Sequence, residues 1–217
     1  ALTTLACNIN QLTALDVSAN TALTDLTCSD NPELYCIQVA DVDQAQQDWA
    51  DNISYWMGFS IDCSNYVPVT YVPDDNFEQA LIDLGYDDVI DDYVVTDSIS
   101  GVTNLSINNF QNEEDYISDL TGIGGFTALE TLNIPYNSLT TLDMSANTAL
   151  TYLQCYGNNL TSINVSANTA LVELHCGGNE LTSLDLTNNT ALTILGAQRN
   201  SFTSLDLSNN VLLETLF

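Results

Sequence analysis

The amino-acid sequence predicts a β-rich solenoid, made of short parallel sheets along the coil and closed by small helical caps. Three observations point there. Leu2, Leu23, Leu129, Leu150, Leu171 and Leu192 each open a block of 21 residues, and Leu213 begins another. A fixed period of this length belongs to coils that cannot bury their own apolar faces and must stack on neighbours. Each block also carries two short alternating segments, such as Leu153-Gln154-Cys155 and Ile163-Asn164-Val165. Alternation of this kind buries every second side chain of a strand, so two strands per coil are expected. Finally, an asparagine follows each segment: Asn158, Asn168, Asn179, Asn189, Asn200 and Asn210. A side-chain amide at a bend satisfies backbone groups that the turn leaves unpaired, and stacked copies predict an internal ladder.

In chain order, residues 1–34 contain the first repeats, and residues 35–70 break the period. That break holds both tryptophans, Cys36 and Cys63, and a predicted helix near Asp41–Asn52. Residues 71–125 restart the pattern. Asp75 and Glu78 read as a capping box that opens a helix running to about Leu84, where Gly85 ends it. A strand-rich stretch and an insertion, Phe110–Asp119, follow, and the acidic run Glu113-Glu114-Asp115 is expected to be solvated. Residues 126–217 hold the frame without interruption from Leu129 to Leu216.

The frame L-x-x-L-x-C-x-x-N-x-L-x-x-L-D-V-S-x-N resembles the leucine-rich repeat family, and in particular its short 21-residue class with two nested L-x-x-L-x-L-x-x-N units, common in secreted proteins of Bacteroidetes. The resemblance covers residues 1–34 and 126–217. It implies an extracellular or cell-surface scaffold for adhesion or for recognition of a protein or glycan, rather than an enzyme. Residues 35–70 resemble the C-terminal cap and linker of a first array, and 71–125 the N-terminal cap of a second, with the linker around Val67–Val72. In that extracellular context Cys36 and Cys63, which flank the first cap, are expected to form a disulfide.

The chain has 29 acidic residues against one basic side chain, Arg199, for a formal net charge of −28. No basic footprint exists for nucleic acid, and an anionic membrane surface would repel the chain. Yet 45% of the residues are hydrophobic, enough for a core, and no run of 18 apolar residues suggests insertion in a membrane. With one histidine, His175, and no lysine, a nucleophile–base–orienter set is available only through carboxylates. His175 is expected at the surface. Cys7, Cys28, Cys155 and Cys176 share the inward column that Ile134 and Ala197 fill elsewhere, so they read as packing.

Carboxylates cluster at Asp83, Asp87, Asp88, Asp91 and Asp92, a candidate Ca²⁺ site although the D-x-D-x-D-G loop is absent. Asp16, Asp143, Asn164, Asp185 and Asp206 occupy one outward column at strand spacing, where like charges demand compensation by hydroxyls, backbone donors or cations. Tyr136, Tyr152, Tyr156 and Phe202 are scattered candidates for partner anchors. Both ends read as cuts through a longer protein. Leu2 and Leu5 at one end, and Leu213, Leu216 and Phe217 at the other, suggest faces that stack head to tail between copies. A linker of roughly six residues reaches at most about 20 Å, too short for closure within one chain, and heterologous contacts of that kind build filaments. The alternative to a recognition scaffold is therefore a repeat unit of a self-assembling filament or of a giant tandem surface protein.

Overall fold

The computed structural model describes residues 1–54, 57–108 and 113–217. Trp56 and residues 110–112 of the expected insertion lie outside them. The chain divides into two compact units, 1–69 and 70–217, each with its own apolar core.

In unit 1, β1 (Thr4–Ala6) pairs in parallel with β3 (Asp25–Thr27), Leu5 beside Leu26. The second segments of the coils form β2 (Leu15–Asp16) and β4 (Cys36–Gln38), with β5 (Gly58–Ser60) added beyond them. Leu15, Ile37 and Phe59 are in register across this sheet. Between β4 and β5 the chain forms α1 (Val42–Trp49), capped by Asp41, whose Oδ1 accepts from the Gln44 backbone N–H at 3.1 Å. The helix turns Ala45 and Trp49 into the core, where the Trp49 and Phe59 rings are 6.2 Å apart. Cys36 and Cys63 form a disulfide with their Cα atoms 5.7 Å apart.

Unit 2 begins within β6 (Val69–Tyr71), which pairs with β7 (Tyr93–Val95). Between them lies α2 (Asp75–Asp83), and α3 (Thr96–Ser100) follows. Gly85 ends the α2 segment at φ +80°, a left-handed conformation that glycine adopts without cost. A six-stranded parallel sheet then runs through β8 (Asn104–Ser106), β9 (Thr131–Asn133), β11 (Tyr152–Gln154), β13 (Glu173–His175), β14 (Ile194–Gly196) and β15 (Thr215–Leu216). Leu105, Leu132, Leu153, Leu174, Leu195 and Leu216 align across it, each neighbour one coil further. All but Leu216 are buried completely.

The second segments differ from expectation. In unit 2, among the described residues, only β10 (Thr141–Asp143) and β12 (Ser162–Asn164) pair, with Leu142 beside Ile163. Leu184 and Leu205 keep the inward position without strand pairing. Asparagine ladders join the coils on both sides. Along the first, each amide bridges a carbonyl of its own coil and one of the coil before: Asn158 Nδ2 donates to Cys155 and Ile134, Asn179 to Cys176 and Cys155. Their Oδ1 atoms accept the backbone N–H groups of Leu139 and Leu160 at 3.1 and 3.0 Å. Along the second, Asn147, Asn168, Asn189 and Asn210 each donate twice to preceding carbonyls, as Asn168 does to Met144 and Asn147. Their buried Oδ1 atoms find no donor among the described residues.

The capping expectation at α2 needs correction. The cap is Asp74, one residue earlier, whose Oδ1 accepts from the backbone N–H groups of Asn76 and Phe77. Its Oδ2 accepts from the Ser118 N–H and hydroxyl and from the Asp119 N–H, fastening the helix start to a distant loop. Glu78 is fully buried and does not reach back to the cap. It accepts instead from the N–H groups of Asp91, Asp92 and Tyr93 at 3.1–3.2 Å, because the left-handed Asp92 (φ 69°) turns that loop's donors toward the helix.

Candidate functional site

The outward face of the six-stranded sheet is where side chains of recognition chemistry meet. Strand alternation puts the residues flanking each buried leucine on this face. Successive coils therefore set Tyr152 beside Glu173 and Gln154 beside His175. The Tyr152 and His175 rings lie 5.6 Å apart. The Tyr152 hydroxyl donates to Gln154 Oε1 at 2.6 Å, and His175 Nε2 lies 3.4 Å from Glu173 Oε2. Partial burial, and next the Glu173 charge, push the Tyr152 phenol above its ordinary pKa. The tyrosine therefore stays neutral and keeps its hydroxyl proton.

Just past these strands, Tyr136 and Tyr156 meet edge to face with centroids 5.6 Å apart. The Arg199 guanidinium donates to the Tyr156 hydroxyl at 3.4 Å. Tyr136, Gly157, Gly178 and Arg199 share one position of successive coils, and all four have positive φ, 55–72°. A tyrosine and an arginine thus hold a conformation that side chains disfavour. The glycines between them leave room: a Cβ on Gly157 would sit 2.8 Å from the Tyr136 ring. The only histidine and the only arginine of a chain of net charge −28 therefore both belong to this sheet and its rim, beside three tyrosines. Tyr136, Tyr152 and Tyr156 are less scattered than the sequence suggests. Phe202 is apart from them, half-buried against the core.

The other candidate residues are placed as follows. Asp16, Asp185 and Asp206 each accept from the backbone N–H two residues on, at Ser18, Thr187 and Ser208. These hydrogen bonds lower their carboxyl pKa values, the hydroxyl leading at Asp16 and Asp185 and the N–H at Asp206. Asp143 accepts likewise from Ser145, and Asn164 Nδ2 donates to it at 3.3 Å. Backbone donors and one asparagine thus hydrogen-bond the carboxylates of this column.

Of the acidic cluster, Asp92 joins Asp75 and the buried Glu78 in a group whose oxygens approach within 4.8 Å. Asp83 accepts from Gln79 on its own helix and Asp91 from the Tyr93 N–H, while Asp87 Oδ2 is buried and finds no donor among the described residues. Cys28, Cys155 and Cys176 are buried thiols, and Cys7 is half-exposed. Burial pushes Cys28 and Cys176 up to about 12 and raises Cys155 as well. Leu2, Leu216 and Phe217 are exposed, and Leu5 and Leu213 half-buried. Among the described residues no helix is long and apolar enough to cross a membrane.

Unit 1 carries two pockets that the sequence did not announce. One, of 240 Å³, lies by the disulfide and is lined by Tyr35, Tyr66, Asp16 and Gln38 among others. The second, also 240 Å³, lies against α1.

No family model and no curated protein matches the chain. Solved structures do. An internalin, InlF, from Listeria monocytogenes is 23% identical over 67% of this chain and 43% of its own, with a TM-score of 0.56. The functional domain of InlJ from the same organism, described as including a cysteine ladder, is 26% identical over 68% of this chain and 47% of its own, with a TM-score of 0.35. A leucine-rich-repeat protein of Leptospira interrogans, LIC12759, is 23% identical over 44% of this chain and 32% of its own, with a TM-score of 0.37. The chain spans less than half the length of each. The stacked parallel strands, the aligned leucines and the superposition on InlF together show that this chain has the leucine-rich-repeat solenoid fold.

Proposed function

We propose that this protein is a non-enzymatic extracellular scaffold that recognises a protein partner through the outward face of the six-stranded sheet in unit 2. The observation that carries the reading is the grouping of Tyr136, Tyr152, Tyr156, His175 and Arg199 on and beside that face. Tyrosine and arginine supply much of the binding energy at protein interfaces, since they bury large area and keep a polar tip. Each is held here by a neighbour, so little side-chain freedom is lost on binding. A disulfide in unit 1 and an internalin as structural neighbour support an extracellular setting.

The test is a surface-display screen of extracellular proteins, with a glycan array in parallel, using the whole chain and a Tyr152→Ala/Tyr156→Ala double variant. A partner lost by at least tenfold in the double variant, with circular dichroism unchanged, supports the reading. Partners indifferent to both substitutions overturn it, and a hit confined to the glycan array replaces protein with carbohydrate.

A further inference from the structure

We infer that the pocket against α1 in unit 1 is an anchor site for a lysine side chain presented by a partner polypeptide. The inference is independent of the sheet face in unit 2. The pocket holds 240 Å³. Its floor is apolar: Val17, Leu23, Val39, Ala45 and Trp49 line it, and all five are core residues. Its charged wall is one stripe of the helix and its cap, Asp41, Gln44 and Asp48, spaced three and four residues apart and therefore on one face, and Ser18, Asn20 and Thr21 complete the polar lining. The site offers an apolar slot with carboxylates at its edge. A lysine matches both parts, since it lays its methylene stem along apolar surface and keeps its charged head toward water.

Two further features select a cation, and an ammonium in particular. Asp48 stands in the last turn of α1, which carries no basic residue. A helix C-terminus bears partial negative charge, so a carboxylate there is unfavourable until a cation joins it. Among the described residues no lysine or arginine side chain pairs with Asp48. Gln44 also takes one oxygen of each carboxylate: its backbone N–H donates to Asp41 Oδ1 at 3.1 Å, and its Nε2 donates to Asp48 Oδ2 at 2.8 Å. Each carboxylate keeps one oxygen for a ligand. That suits the point charge of an ammonium better than a guanidinium, which gains most from bidentate pairing.

The experiment titrates the whole chain with Nα-acetyl-lysine-N-methylamide and, separately, with its neutral isostere Nα-acetyl-norleucine-N-methylamide. The readout is the methyl NMR signals of Val17, Leu23, Val39 and Ala45. The lysine probe should shift them saturably, more weakly in high salt, while the norleucine probe binds at least severalfold more weakly. Asp48→Asn should lower affinity about two- to fivefold, the worth of an exposed charge pair. Asp43→Asn, on the same helix but outside the pocket, should leave affinity unchanged. Equal shifts with norleucine would overturn the proposal, as would no shift with lysine. So would an equal loss in Asp43→Asn, which would reveal general attraction to the acidic surface. Because Asp48 is exposed, its substitution does not threaten the fold.

Discussion

A buried cysteine serves as a small apolar group only while it keeps its proton. In Cys28, Cys155 and Cys176 burial raises the thiol pKa, to about 12 in Cys28 and Cys176. The folded chain therefore holds these protons to higher pH than the unfolded chain, whose thiols ionise near 8.5. Stability is unaffected below that value and falls as pH rises from there toward about 12, by about 2 kcal/mol per fully buried thiol at pH 10. Urea unfolding at pH 7 and pH 10 measures this, and Cys155→Ala/Cys176→Ala should flatten the loss in unit 2; an equal loss in the double variant refutes the cause. The exposed Asp16, Asp185 and Asp206 act with the opposite sign. Their pKa values are lowered in the fold, so the stability they add is present above the unfolded value and disappears as pH falls through the folded one. The inward cysteine column was legible in the sequence because Ile134 and Ala197 replace cysteine in sister coils. The tyrosine grouping was not, since Tyr136 and Tyr156 stand in different columns and Arg199 reaches Tyr156 across 43 residues.

At the scale of the element, α2 shows why helix ends are harder to read than helix faces. Asp74 and Asp75 are adjacent, and either one starts a plausible capping pattern. What decides between them is tertiary: Ser118 and Asp119 supply three further donors to Asp74. Glu78 is likewise committed by donors 13–15 residues away, beyond the reach of a local motif. Asp74→Ala should cost about 2 kcal/mol, a lost cap plus the orphaned loop donors. Asp75→Ala should cost a few tenths, because its exposed side chain caps nothing. Thermal melting of the two variants checks the order, and a larger loss at Asp75 would restore the reading made from sequence. The leucine register needed no such help. A 21-residue spacing fixes which side chains face inward before any contact is known, and the five leucines from Leu132 to Leu216 follow it without a slip, while Leu105 joins their register from 27 residues before Leu132.

For the whole molecule the decisive fact is two cores rather than one. The Cys36–Cys63 bridge closes a loop that lies wholly in unit 1, with a sequence separation of 27. By the chain-entropy account a loop of that length is worth about 3–4 kcal/mol. Unit 1 has 69 residues, and an array that small leans on such a staple more than the 148-residue unit 2 does. Both tryptophans fall in unit 1, so tryptophan fluorescence reports its unfolding selectively. The variant Cys36→Ala/Cys63→Ala should move the fluorescence transition to markedly lower denaturant, by an amount matching about 3 kcal/mol. Native-state hydrogen exchange then localises the loss. Amides of Ile37 and Phe59, in the sheet next to the bridge, should exchange faster, while those of Leu132, Leu153 and Leu174 keep their protection. Equal acceleration in both groups would show that the two cores unfold as one, and would make the bridge a clamp on the entire chain.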